Sequence, residues 1–324
     1  MASKDWRSRN MEPDHSESSR RARAFALRAT LFFLPLVCWV GLGLVTFANT
    51  DFYPYQVLQA HQEAKLVEND EVEVVLLGDS SLGNAIDAQL FLDTTGRETV
   101  SLALNGLYGY AGSYNMLRRA LAVFPNLEHA VVINTPDMMS RPPSQRGWLL
   151  TLESPQALLD VGWQGTSAAL AELLRMAAEK ETMAYLPKRI AGQTLDPSTV
   201  LENDYIRQGE RKRPPQVEDW TQRTVHPGKA NHLRALVTLA AQNGVHVTYA
   251  HGPLWAEQLA ASTDYLDAAE REIQDTGVTL VSWRPSIETQ DLGNTTDHVA
   301  PAHKEAMTLQ YASHLRAVLH RSNE

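Results

Sequence analysis

Short apolar runs alternate with segments of helical spacing along the chain beyond residue 70. The apolar runs predict strands near Val72, Thr99, Ala130, Val245 and Val278. After each run, apolar residues recur at intervals of three or four, as they do on one face of a helix. Strands that alternate with helices predict a parallel sheet, and we expect the first strand to lie between the second and third. The pattern therefore predicts an α/β fold, a flavodoxin-like three-layer α/β/α sandwich with a five-stranded parallel sheet.

The helical spacing sets the expected bounds of the helices. Helices are predicted near Ala85 to Leu92, Ala111 to Phe124, Lys229 to Asn243, Glu257 to Thr276 and Ala302 to His320. Gly244 and Gly277 follow two of these segments, where left-handed backbone commonly ends a helix. Both glycines are therefore predicted to mark helix ends.

An insertion at about residues 140–226 interrupts this alternation. Its first part, Pro155 to Ala178, has helical spacing, whereas the part around Arg207 to Pro215 has the composition of a loop. Ordinary packing at the edge of the sheet is one interpretation. The other is a lid or acceptor-binding surface over the active site, since long insertions often carry function.

The N-terminal region contains an unbroken uncharged segment from Ala29 to Ala48. Spanning a bilayer takes about 20 helical residues, so this segment is predicted to be a transmembrane anchor. Arginines precede it and acidic residues follow it, which places residues 1–28 in the cytoplasm as a disordered tail and the rest outside. A cleaved signal peptide, with Thr46 and Ala48 at the cleavage site, is the alternative. Residues 49–70 are expected to link the anchor to one α/β domain at 71–324.

Composition and charge narrow the class of protein. The chain has 324 residues and a net charge of −9, and residues after Arg28 hold 22 basic and 34 acidic side chains, a net charge of −12. An acidic domain repels nucleic acid, and we expect no basic groove and no nucleic-acid partner. The single cysteine, Cys38, lies in the predicted anchor, so no disulfide is expected beyond it. Without Cys/His metal spacing, we expect no metal and no other cofactor.

A Gly-Asp-Ser turn, in LLGDSSLGNAID, directly follows the first predicted strand. Gly78 allows a sharp turn, and Asp79 or Ser80 can cap the helix that follows. At the carboxyl end of a parallel strand, the Ser80 hydroxyl would be exposed above the sheet, and its amide at a helix N-terminus could stabilise an oxyanion. A serine nucleophile needs a base, and His298 lies in a polar loop before the last helix, where it could reach the same edge.

These residues resemble the SGNH (GDSL-like) hydrolase and acyltransferase superfamily, closest to its membrane-anchored, extracytoplasmic members related to alginate O-acetylation and teichoic-acid alanylation proteins. Gly78-Asp79-Ser80 resembles the first block of that family, which implies that Ser80 is the nucleophile. The resemblance further implies an oxyanion hole formed by the amides of Ser80 and Gly106 with the side chain of Asn134. His298 resembles the catalytic histidine of the last block.

The chain departs from the family where an acid should orient the histidine. Three residues before His298, the family has aspartate and this chain has Thr295. Asp297 and Asp291 are the nearby carboxylates, and loss of the orienting acid costs ~10⁴ in turnover in a known triad. A Ser-His dyad, a rewired triad that uses Asp297, and a degenerate domain all remain possible.

Three classes of function follow. The first is an esterase or O-acyltransferase, most simply an O-acetyl enzyme, that modifies an exported or cell-surface glycan and can take its acyl group from a membrane donor protein. The second is a degenerate glycan-binding or scaffold component of a polysaccharide assembly system. The third is a lipid or peptide esterase released after signal cleavage.

Overall fold

The computed structural model describes residues 15–47, 54–152, 162–178, 195–211 and 213–320, together with Pro187 and Ala191. The helices are α1 (His15–Phe47), α2 (Pro54–Glu63), α3 (Ser80–Ala85), α4 (Ala88–Thr95), α5 (Gly109–Val123), α6 (Gln145–Leu150), α7 (Gly162–Ala178), α8 (Pro197–Val200), α9 (Asn231–Gln242), α10 (Ala256–Ala261), α11 (Thr263–Gln274) and α12 (Lys304–Leu319). The strands are β1 (Val74–Gly78), β2 (Thr99–Ala103), β3 (His129–Asn134), β4 (Leu201–Glu202), β5 (Tyr205–Ile206), β6 (His246–His251), β7 (Leu254–Trp255), β8 (Thr279–Leu280) and β9 (Ser286–Ile287).

The five predicted strands form one parallel sheet with the order β2-β1-β3-β6-β8. This confirms the α/β class, the parallel sheet and the position of the first strand between the second and third. In the register, Gly78 pairs with Ala103 on one side and Ile133 on the other, so the carboxyl ends of three strands lie level. Loops after these strands therefore meet at one edge, where open α/β sheets bind their ligands.

Helices cover both faces of the sheet because alternate residues of each strand point to opposite sides. On β1, Val75 and Leu77 join one apolar cluster with helices α5 and α9, whereas Val74 and Leu76 join the other with α4 and α12. All four side chains are fully buried. Each contributes about 1.5–3 kcal/mol through burial, so the central strand and the turn at its end are held firmly from both sides.

Two predicted helices differ from the structure. The helix predicted near Ala85 to Leu92 is α4, which begins only at Ala88, and Ala85 ends the separate helix α3, because Ile86 is extended and Asp87 caps α4, accepting bonds from Gln89 N and Leu90 N at 3.0 Å. The segment predicted from Glu257 to Thr276 breaks at Ser262, between α10 and α11. Gly244 and Gly277 have φ of +73° and +87°, as expected for residues that follow a helix.

The region predicted to link the anchor to the domain contains α2, and this helix packs into the fold. Leu58 is fully buried in the cluster beneath α4 and α12. Gln59 Oε1 accepts a hydrogen bond of 3.0 Å from the Tyr108 hydroxyl. Helix α2 is therefore packed against the α/β fold, ahead of the domain start predicted at residue 71, because its apolar face contacts the edge strand β2.

The N-terminal tail is helical from His15 onward, where disorder was expected, and residues 1–14 lie outside the described part. Arginine and alanine in this segment favour a helix. Within the residues that the structure describes, no helix is both long enough and apolar enough to cross a membrane. Residues 29–47 of the predicted anchor form the C-terminal part of α1, and the side chains of residues 36 and 39–47 and all of Ala48 lie outside the described part.

Candidate active site

Ser80 is the first residue of α3 and stands directly after β1. The preceding Asp79 is the extended N-cap, and its Oδ1 accepts a hydrogen bond of 2.9 Å from Ser81 N. Gly78 is required here, because a Cβ at this position would lie 1.7 Å from the Ile133 carbonyl oxygen. Ser80 thereby reaches a surface cleft of about 800 Å³, whereas Ser81 is buried.

The Asp79 carboxylate ties the serine turn to the loop after β3. It is almost fully buried, and its two oxygens lie 3.1 and 3.0 Å from Thr135 N, which donates to them. Burial above all, and then the charge of Asp297, raise the pKa of Asp79 to about 7, although the bonds from Thr135 and Ser81 and the charge of Arg141 act in the opposite direction. The group thus titrates near neutral pH.

His298 lies in the loop before α12 and is held by a residue that the sequence motif does not include. Its Nδ1 lies 2.8 Å from Asn294 Oδ1. An amide oxygen only accepts hydrogen bonds, so His298 carries its proton on Nδ1 and leaves Nε2 unprotonated. Burial lowers the pKa of His298 below its usual value, with a partial opposing effect from Asp297. The ring is consequently neutral at pH 7, the form that a general base requires.

Asp297 stands between the histidine loop and the serine turn. Its Oδ1 accepts a bond of 2.6 Å from the Thr295 hydroxyl and lies 3.9 Å from His298 Nε2, and its Oδ2 lies 3.4 Å from Ser81 Oγ. Burial acts to raise the pKa of Asp297, but His298, the hydroxyls of Thr295 and Thr135 and the Arg141 charge outweigh it and lower the pKa. The carboxylate stays ionised and joins segments 216 residues apart in sequence.

The predicted catalytic residues converge only in part. Ser80 lines the cleft and His298 is part-buried, with 14% of its side chain exposed, and within the described structure no hydrogen bond joins the Ser80 hydroxyl to the imidazole. The carboxylate of Asp297 is on the Nε2 side of the ring, opposite the side where a triad acid lies. Asp291, the other candidate acid, pairs with His303 at 3.2 Å.

The predicted oxyanion residues occupy different environments. Gly106 lines the cleft beside Ser80. Asn134, at the end of β3, is fully buried and its Oδ1 and Nδ2 make no hydrogen bond within the described structure. A buried unpaired amide is costly and therefore unusual, and such groups are often associated with function.

The cleft wall carries more positive charge than the sequence suggested. Four basic side chains and one acidic side chain line it: Arg141, Arg146, Arg175, Lys229 and Glu172. The expectation of no basic groove was wrong for this site, because a negative average over the chain does not fix the charge of one cleft. Gln145, Arg146 and Glu172 come from the insertion, so this segment forms one wall of the cleft beside Ser80.

Asn294, Arg141 and Lys229 were not predicted as site residues. Asn294 stands four residues before His298, one position away from the family's acid, so only its contact with Nδ1 reveals its role. Arg141 follows β3 by seven residues and Lys229 precedes α9, and neither belongs to a recognisable motif.

Comparison with known proteins matches no family model, and no curated protein is significantly similar in sequence. The function of the site is therefore inferred from the geometry of its own residues.

We predict that Asp79→Asn changes how stability depends on pH. The folded-state pKa of Asp79 is raised, so its favourable contribution is present below its usual pKa of 3.8 and is lost as pH rises through about 7. The thermal midpoint of the native protein should therefore fall relative to Asp79→Asn between pH 4 and 8, as followed by circular dichroism.

Asp196→Asn is the matched control. Asp196 is an exposed N-cap whose pKa is lowered by the hydroxyl and amide of Ser198, so its contribution is lost at acidic pH instead. A stability difference between the native protein and Asp79→Asn that stays constant over this range would contradict the burial argument for Asp79.

Proposed function

We propose that this protein is an extracytoplasmic serine ester hydrolase or O-acyltransferase of the SGNH type, which acts on an exported or cell-surface glycan through an acyl-serine intermediate. The observation that carries the proposal is the meeting of two distant segments at the carboxyl edge of the sheet. The serine turn after β1 and the loop that holds His298 contact each other through Ser81 and Asp297. An open α/β sheet binds ligands at this edge.

The proposed reaction has two steps. Ser80 Oγ attacks the ester carbonyl while His298 Nε2 takes its proton, and the amides of Ser80 and Gly106 with Asn134 stabilise the oxyanion. Collapse of this intermediate expels the alcohol, which takes the proton from His298, and leaves the acyl group on Ser80. Water or a sugar hydroxyl then attacks the acyl-serine, with His298 again as base, and releases an acid or an acylated sugar.

The state of His298 supports its role as base. Asn294 keeps the proton on Nδ1, and burial keeps the ring neutral. An amide orients the imidazole but stabilises the imidazolium less than a carboxylate does. The separation of Ser80 from His298 does not conflict with the proposal, since catalytic hydrogen bonds often form only when substrate binds. We expect a slow enzyme.

The proposed location is the cell membrane, with a single anchor and the α/β domain outside the cytoplasm. It is supported by α1, whose large apolar side chains within the described part are more than half exposed: Phe25, Leu27, Leu31, Phe32, Phe33, Leu34 and Val37. A continuous series of exposed apolar groups indicates contact with a membrane or a partner. Arginines before this series favour an N-terminus inside the cell.

The second candidate is a degenerate glycan-binding or scaffold component. It is favoured by one observation, the absence of a hydrogen bond between Ser80 and His298 among the described residues. It predicts binding without turnover, so labelling of the serine separates the two candidates.

We predict that a fluorophosphonate labels Ser80. An activated serine reacts with this reagent, so Ser80→Ala should abolish both labelling and ester turnover while shifting stability by only about 1 kcal/mol, the usual effect of removing a serine near a helix cap. Peptide mapping of the labelled protein checks the site.

Ser81→Ala is the matched control for this experiment. Its hydroxyl is buried and faces Asp297, so the variant should still be labelled. Full turnover in Ser80→Ala would exclude the proposed nucleophile, and a native protein that neither reacts nor turns over esters would favour the binding candidate.

We predict that Asn294→Asp increases turnover. A carboxylate beside Nδ1 would stabilise the imidazolium, so kcat/KM should rise about tenfold or more. The same charge raises the pKa of His298, so the acidic limb of the pH profile should move to higher pH, which pH-rate measurements would detect.

Thr295→Asp provides the comparison. The Thr295 hydroxyl contacts Asp297 and not the imidazole, so a carboxylate there adds repulsion and should not increase turnover. A gain from Thr295→Asp with no effect of Asn294→Asp would show that the family's acid position, and not Asn294, orients the ring.

We predict that a reporter active only after export is active when fused behind Glu324, because the arginine flank keeps the N-terminus inside. The mature protein should retain its N-terminal segment and fractionate with membranes. A reporter that works only in the cytoplasm would contradict the topology, and loss of the first 48 residues would indicate a signal peptide.

A further inference from the structure

The basic residues of the cleft differ in how far nearby acids neutralise them. Glu172 forms ion pairs with Arg175 and, at 3.9 Å, with Arg146. These two cations therefore share one carboxylate at the outer wall. Arg141 lies over the predicted oxyanion glycine, Gly106, and both Arg141 and Lys229 are close enough to the serine turn for the charge of Asp79 to act on them.

Arg141 has a guanidinium nitrogen free to bind a ligand. Its Nε and Nη2 donate to Asp137 at 3.3 and 2.7 Å, and Asp137 is also shared with Arg223 at 2.8 Å. Nη1 makes no hydrogen bond within the described part of the chain, and a Cβ on Gly106 would lie 2.8 Å from it. The unused side of the guanidinium therefore lies over Gly106, beside Ser80.

Lys229 is a buried ammonium without an acidic partner. It is only 3% exposed, and its Nζ donates to the Pro142 carbonyl at 3.2 Å. No carboxylate of the described residues lies within ion-pair distance, and the nearest aromatic contact is the Tyr110 ring at 5.7 Å. Burial first, and then Arg141, lower the pKa of Lys229 to about 8, although the charges of Asp79 and Asp137 act in the opposite direction. Keeping a charged lysine in this position is costly, and a bound anion would offset that cost.

A helix end beside Lys229 adds to the positive potential. A Cβ on Gly109, the first residue of α5, would lie 3.4 Å from Lys229 Nζ, so the positive end of that helix is adjacent. The carboxylates of Asp79 and Asp297 are close enough to raise the pKa of Arg141, but they accept bonds from amide and hydroxyl groups and do not line the cleft.

We propose that the cleft beside Ser80 binds an anionic group of the substrate, a carboxylate or a phosphate, through Arg141 and Lys229. The inference rests on the proposed function, which it extends from a glycan in general to an acidic one. A planar guanidinium suits a two-oxygen anion, and the ammonium adds a point charge. Two cations on one side of Ser80 would place the anion at a fixed distance from the reacting ester.

The test measures binding to the full-length Ser80→Ala protein, in which no turnover occurs. Glucuronate, glycerol 3-phosphate and glucose are titrated by calorimetry. Both anions, but not glucose, should bind, and the one that binds more tightly identifies the carboxylate or the phosphate as the recognised group. Adding Arg141→Gln or Lys229→Met should weaken the binding at least about tenfold, since each removes a charge-assisted hydrogen bond.

Controls separate a binding role from a structural one. Lys229→Met removes a buried charge and should leave the thermal midpoint equal or higher, so lost binding cannot come from unfolding. Arg97→Gln, which removes an arginine paired with Glu73 and Glu128 beside the opposite ends of the strands, should keep full binding. The inference would be overturned if the Arg141→Gln, Lys229→Met double variant still bound the anions. It would also be overturned if the anions bound the protein no better than glucose does.

Failure of this inference and failure of the proposed function give different results. In the protein that retains Ser80, the same anions should inhibit turnover of 4-nitrophenyl acetate competitively. If the anions do not inhibit turnover, the proposed anion site is wrong and the proposed esterase activity stands. If the anions bind in a way that depends on Arg141 and Lys229 but the protein shows neither turnover nor serine labelling, the anion site is supported and the proposed enzymatic activity is wrong.

Discussion

The buried carboxylate of Asp79 is the interaction on which the site depends. It accepts bonds from Ser81 N in its own turn and from Thr135 N after the neighbouring strand. The contact fixes the serine turn to β3, and Gly78 allows the two strands to approach closely. Because burial opposes its charge, this carboxylate also makes the site sensitive to pH near neutrality. The Asp79 carboxylate thus fixes the position of the turn that carries Ser80 and also contributes a pH-sensitive charge beside it.

The sheet brings the remaining groups to that fixed turn. Level carboxyl ends of β1, β2 and β3 place Gly106 and the start of the insertion around Ser80. The last loop adds Asp297, which bridges toward Ser81, and His298, which Asn294 orients. Chain segments far apart in sequence supply a hydroxyl, a neutral imidazole and two cations. These are the groups that the proposed acyl transfer to or from an acidic glycan requires.

The sequence predicted those parts that depend on local patterns. The strands near Val72 and Ala130 and the turn at Ser80 follow from apolar runs and one glycine, and the structure confirms their order in the sheet. The break before α4 was missed because Asp87 caps a helix where helical spacing continues. Asn294 and Lys229 could not be found, because their roles arise only from contacts made in three dimensions. The basic cleft was missed because net charge averages over the whole surface.

The most direct test of Ser80 as the nucleophile is to trap the acyl-enzyme. Full-length protein is incubated with 4-nitrophenyl acetate, quenched in acid and mapped by mass spectrometry, with His298→Ala beside it. An acetyl group is expected on Ser80 in the native protein, and Ser80 should be acetylated much more slowly in His298→Ala. No acetylation, or acetylation of another residue with Ser80 unmodified, would contradict a nucleophilic Ser80.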